Sequence, residues 1–181
     1  MSNQATVNNE KFKIINRLIS EKSFNKAEAL AEEWRNKEFN NSEAWRASSL
    51  VYLAKKEIPE ALMCVDFAER CRSAYDPNPQ ILKAKIYIEN KDYSRADQIY
   101  DKVLKEFSQP SFINIYASVL ILKADLSKQI NPESTDLYLQ NINSFLNTNP
   151  VILNSYYQNK LASLQHEASN DAQLNFKKNK I

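Results

Sequence analysis

The 181-residue chain contains no glycine at all, where an average composition carries about 7%. That absence removes functions built on backbone that only glycine tolerates: phosphate-cradling Gly-rich loops, the dinucleotide-binding glycine fingerprint and the glycine-flanked serine elbow of hydrolases. It also argues against a hairpin-rich β protein, whose tight turns favour positive φ. Histidine is scarce as well, with His166 alone, and there are two cysteines, Cys64 and Cys71. The cysteines stand seven residues apart in a stretch that reads as one helix, a rise of about 10 Å that no disulfide spans. With His166 distant in sequence, no zinc set can be assembled, and the thiols read as small, partly buried core residues in a reducing compartment. No cofactor is expected.

An excess of charge of either sign is also missing. Lys+Arg number 24 against 22 for Asp+Glu, and both kinds are spread evenly along the chain, so no part reads as a nucleic-acid or membrane-surface module. The most apolar stretch, residues 112–126, is interrupted by Asn114, Ser118, Lys123 and Asp125 and is too short and polar to span a bilayer. The N-terminal residues are polar and lack the basic-then-apolar layout of a signal peptide. A soluble cytoplasmic protein without membrane insertion is expected.

What the chain does contain is helical periodicity that recurs. Ala27, Ala61 and Ala96 are separated by 34 and 35 residues, and each follows by three an aromatic or β-branched residue: Phe24, Ile58 and Tyr93. Behind them come Ala31, Val65 and Tyr100, then Trp34, Ala68 and Val103, at the offsets of four and three that define one helical face. A second helix precedes each, carrying Ile15 and Leu18, then Trp45, Ser49 and Tyr52, then Ala84 and Tyr87. Pro59 falls in the first turn of a helix, where its missing N–H costs nothing. Pro77, Pro79, Pro110, Pro132 and Pro150 fall between predicted helices. The aromatics Trp34, Trp45, Tyr52, Tyr87 and Tyr100 belong to the core between helices.

This helix–turn–helix period of about 34 residues, with its small and aromatic places, resembles the tetratricopeptide repeat. The resemblance implies an all-α fold, an α-solenoid of three to four such repeats with a C-terminal capping helix. A degenerate first repeat spans 8–41, since Ile15 fills a place where the family has a small residue. The second spans 42–76 and the third 77–110. A looser helix pair covers 111–148, a capping helix starting at Val151 covers 149–169, and residues 170–181 form a polar and basic tail. The family also favours glycine at the turn inside each repeat, where this chain has Lys22, Lys56 and Lys91. If those turns are left-handed, each lysine costs about 1 kcal/mol.

Nothing here points to an enzyme. His166 lies on a polar late helix and reads as solvated. The carboxylate pairs Glu32–Glu33 and Asp97–Asp101 read as solvated faces, with Glu28, Glu32 and Arg35 spaced to support their helix. The resemblance instead implies ligand capture on a concave surface lined by the first helix of every pair. Those places fall on Asn9, Phe12, Lys13 and Asn16, then Glu43, Arg46, Leu50 and Leu53. Next come Asn78, Ile81, Lys85, Ile88 and Glu89, and finally Phe112, Ile115 and Val119. Family members that clamp a C-terminal carboxylate need polar or basic groups where Ala47 and Leu82 stand, so heat-shock chaperone tails are not expected ligands.

The aliphatics in this set suit an amphipathic helix or extended peptide of a partner protein, or they form internal core; Arg46 and Lys85 are read as partner contacts. The expected function is a non-catalytic adaptor, scaffold or assembly factor. The alternatives are a small secretion-type chaperone for an apolar client segment and a self-associating structural repeat. RNA binding is a minor alternative, because the Gly-x-x-Pro-Asp-like turn of pentatricopeptide repeats and a phosphate track are both missing. One test follows from Ile15: the first helix pair should pack more openly than the next two, and its amides should exchange faster in native-state hydrogen exchange.

Overall fold

The computed structural model describes the backbone of residues 2–178 and the side chains of residues 6–168. Among the described residues all regular structure is helical. Helices α1 (Ser2–Ser20), α2 (Phe24–Lys37), α3 (Ser42–Ala54), α4 (Ile58–Cys71) and α5 (Asn78–Glu89) are followed by α6 (Tyr93–Glu106), α7 (Ile113–Ile130), α8 (Thr135–Thr148) and α9 (Ser155–Lys178). Single 3₁₀ turns at Pro110–Phe112 and Pro132–Ser134 lead into α7 and α8. The chain divides into two compact units, Met1–Asp92 and Tyr93–Ile181. That division falls inside the span 77–110 and assigns α5 and α6 to different units. No described helix is long and apolar enough to cross a membrane.

Three turns share one local geometry. Lys22, Lys56 and Lys91 have φ of 57°, 65° and 61°, the left-handed region that glycine occupies without steric cost. Around Lys22, its own N–H donates to the Ile19 carbonyl at 3.0 Å while the Ser23 N–H reaches back to Leu18 at 2.9 Å. The same two bonds recur at Lys56, to Leu53 (3.0 Å) and from Glu57 to Tyr52 (2.9 Å). At Lys91 they run to Ile88 (2.9 Å) and from Asp92 to Tyr87 (2.8 Å). This pair of bonds is the Schellman closure, which satisfies the last carbonyls of a helix around one left-handed residue. Ser23 and Glu57 then accept the first bonds of α2 and α4, from Ala27 and Ala61, both at 3.0 Å. A single residue thus ends one helix and starts the next.

In the first unit, Ile15, Ala27, Ala31, Trp34, Ala44, Ala47 and Val51 form one buried cluster that joins α1, α2 and α3. A second cluster, Leu53, Ala61, Val65, Leu82 and Ile86, joins α3, α4 and α5. Ser49 is small enough to bring α3 against α4, and its Oγ donates to the Ala61 carbonyl at 2.8 Å. At the equivalent place Ile15 is fully buried, with four side-chain carbons where Ser49 has a hydroxyl, and α1 and α2 touch less extensively than α3 and α4. Pro59 and Pro79 occupy the first turns of α4 and α5, and neither interrupts a helix interior.

In the second unit α7 packs against α6, α8 and α9. Its core contains Ile121, Ala124, Leu139, Ile142, Leu161 and Leu164. Lys123 is 8% exposed, and its ammonium bridges Asp97 at 3.0 Å and also Asp101. Burial works against that charge, yet the hydrogen bonds from Lys123 to Asp101 and Asp97 outweigh it and hold the ammonium above the usual lysine range. The Asp97–Asp101 pair is therefore not a plain solvated face: both carboxylates serve one internal cation.

Helix α9 differs at both ends from the helix expected over 149–169. Residues 151–154 are not helical. Pro150 disfavours helical backbone at Asn149, which has φ −130° and ψ 141°, and the Ile152 N–H is taken by Asn114 Oδ1 at 2.8 Å. Asn154 then caps α9 by accepting the Tyr157 N–H at 3.2 Å. At the other end α9 continues to Lys178 through the segment read as a tail, which holds no proline or glycine to stop it. Residues 179–181 lie outside the described residues.

The left-handed lysines yield a direct test. Lys22→Gly and Lys91→Gly should each raise stability by up to about 1 kcal/mol, because relief of the left-handed strain outweighs the added freedom of the unfolded chain. The two effects should add in chemical denaturation, the sites being remote.

Candidate binding site

The first unit carries a shallow depression of about 300 Å³ built by three alternate helices and one turn. Helix α1 supplies Asn16 and Ile19, α3 supplies Leu50, Leu53 and Ala54, the following turn supplies Lys56, and α5 supplies Lys85 and Glu89. These residues meet because α3 packs against both α1 and α5 and the chain returns to the same surface every 34 or 35 residues. Asn16, Leu50 and Lys85 are equivalent under that spacing, and so are Ile19 and Leu53, and Ala54 and Glu89.

Its floor is apolar. Leu53 is buried, while Ile19, Leu50 and Ala54 are half-buried. The rim is polar: Asn16, Lys56, Lys85 and Glu89 are exposed. Lys56 Nζ lies 3.0 Å from Glu89 Oε2, with the two side chains 74% and 41% exposed. Lys85 has no ion pair among the described residues. The arrangement offers apolar area for a side chain, beside two ammonium groups and one carboxylate.

Of the residues expected to line a groove, Asn16, Leu50, Leu53, Lys85 and Glu89 converge here. Ile19 and Ala54 were missed, although the same spacing points to both, and Lys56 was recognised only as a turn residue. Phe12, Glu43 and Arg46 form a separate cluster: the Arg46 guanidinium lies 4.4 Å over the Phe12 ring and donates to Glu43 Oε2 at 2.5 Å. With its side chain only 16% exposed, Arg46 is engaged internally, contrary to the expectation of a partner contact. Lys13 pairs with Glu10 at 3.2 Å on the solvent face of α1, and Asn9 is exposed. Asn78 donates through its backbone N–H (3.0 Å) and side-chain amide (2.6 Å) to Asp76 Oδ1, which organises the entry to α5. Ile81 and Ile88 are half-buried and lie outside the depression. Phe112, Ile115 and Val119 belong to the second unit, where the Phe112 ring meets Phe107 edge-on at 5.2 Å.

Elsewhere the polar groups read from sequence have structural partners. Glu28 pairs with Lys55 at 2.9 Å. Arg35 lies 4.9 Å over the Trp45 ring and donates to Cys64 Sγ at 3.6 Å. Cys64 is buried, and burial pushes its thiol pKa up despite the opposing guanidinium of Arg35. Tyr100 is driven the same way by burial, with Tyr156 and Tyr157 adding to it. His166 is exposed. Among the described residues no group of three or more His, Cys, Asp or Glu side chains is placed to hold a metal ion.

No protein-family model and no curated protein matches the chain. The depression on α1, α3 and α5 therefore has to be interpreted from its own chemistry.

The contacts of Arg46 give a test of its structural contribution. Arg46→Ala should lower stability by about 1 kcal/mol, the scale of a cation–π contact with a half-buried charge partner, readable as a lower urea midpoint.

Proposed function

We propose that this protein is a non-catalytic binding module of tetratricopeptide-like helix pairs, a cytoplasmic adaptor, scaffold or assembly factor that captures a peptide or helix of a partner protein. In this reading α1–α2, α3–α4 and α5–α6 are the repeats, α7–α8 is a looser fourth pair, and α9 caps the array. The observation that carries it is the convergence of Asn16, Leu50 and Lys85, equivalent residues of successive helix pairs, on one depression with an apolar floor and a charged rim. Equivalent positions of stacked helices form a continuous strip, and such a strip presents successive pockets to an extended or helical ligand. The three Schellman turns at one spacing support the repeat assignment independently. Catalysis is not part of this reading, because the rim holds no nucleophile with an adjoining base.

The test is partner capture by the intact chain, with bound proteins identified by mass spectrometry. Lys85→Glu and Leu50→Ser should each weaken retention of the same partner at least about tenfold, or ~1.4 kcal/mol, with helical circular dichroism unchanged. Retention of that partner by both variants at wild-type strength would refute the groove.

A further inference from the structure

The rim of the depression contains a carboxylate in an electrostatically poor place. Glu89 is the last residue of α5, where the helix dipole disfavours negative charge. It has a lysine one turn earlier on its own helix, Lys85, but in the order Lys-then-Glu, which is the weaker orientation for a helical pair. Glu89 turns instead to Lys56, 33 residues away in sequence, at 3.0 Å. Lys56 is itself held at the rim by the left-handed backbone of its turn, with φ of 65°. Both members of the pair are solvent-exposed, so the tie between them is weak and screened by salt. Lys85 is left beside it, exposed and without a charge partner among the described residues.

We propose that Glu89 stands in for an acidic side chain of the partner, and that the depression takes an acidic segment carrying an aliphatic anchor. This rests on the groove reading above and specifies its ligand. The anchor lies on Leu50, Leu53, Ile19 and Ala54, and the neighbouring carboxylate displaces Glu89 from Lys56 while engaging Lys85. Charge complementarity selects this occupant: two ammonium groups and one replaceable carboxylate face the space. A basic segment would meet uncompensated like charge at Lys85. Displacement releases Glu89 to solvent and forms a pair that excludes water better than the one it replaces, since the apolar anchor covers one side.

The experiment uses the full chain and two synthetic twelve-residue peptides with the same leucine spacing, one with glutamate and the other with lysine at every polar place. Binding is followed by calorimetry and by the methyl resonances of Leu50 and Leu53. The glutamate peptide should shift those methyls and the lysine peptide should not. Glu89→Gln should tighten the glutamate peptide several-fold by removing the internal competitor. Lys85→Glu should weaken it at least tenfold, and Lys56→Gly, which keeps the turn and removes the ammonium, should weaken it as well. Equal affinity for both peptides at the Leu50 and Leu53 methyls, or no effect of Glu89→Gln, would overturn the acidic-segment proposal and leave the groove standing. Failure of both peptides to move those methyls would overturn the groove reading and this proposal together. Concentration-dependent shifts of the same methyls without peptide, with a dimer mass in sedimentation, would assign the depression to a second copy of the chain and overturn the proposal.

Discussion

The first unit depends on reversing direction between paired helices in one residue. A helix end leaves carbonyls without partners, and a buried end cannot leave them so. Lys22, Lys56 and Lys91 solve this by adopting left-handed backbone, which lets two backwards hydrogen bonds close each helix and starts the next almost at once. The three closures are alike, and within the first unit residues 34 or 35 apart in sequence, such as Asn16, Leu50 and Lys85, line one depression. The buried clusters and the depression both follow from that register. Lysine is tolerated because its long side chain projects into solvent, where it adds solubility and, at residue 56, a charge for the rim.

The ties between neighbouring helices differ from pair to pair. Ser49 permits a direct bond from its hydroxyl to the backbone of α4, whereas Ile15 fills the corresponding space with carbon and makes hydrophobic area the main tie between α1 and α2. The second unit uses different means. Its central helix, α7, carries a sequestered lysine flanked by two aspartates as well as an aliphatic core. Removing one carboxylate there would leave a poorly solvated cation, so such clusters specify which helix faces which more than they add stability.

Much of the helical layout was legible because periodicity and proline placement are local signals. The turn lysines were legible from a different direction: an absent residue type at a place where the backbone needs it. The start of α9 was not, because it depends on Asn114 reaching across to the Ile152 N–H and on Asn154 acting as a cap. Of the residues that follow the repeat spacing, Asn16, Leu50 and Lys85 line one depression, whereas Phe12, Arg46 and Ile81, equally spaced, do not. Arg46 is held by two other residues expected on the same face, its guanidinium lying over the Phe12 ring and donating to Glu43. Spacing locates a Cα on a face; it does not say which neighbour a long side chain prefers.

Lys56 carries two demands that no single residue type meets without compromise. Its backbone conformation is easiest for a residue with no side chain, while its place on the rim calls for a long cationic one. Relaxing the turn would discharge the surface, and charging the surface keeps the turn under strain. Under the proposed binding role, thermostability and recognition are opposed at this one codon, and drift toward a sturdier fold would remove the Lys56 charge from the rim.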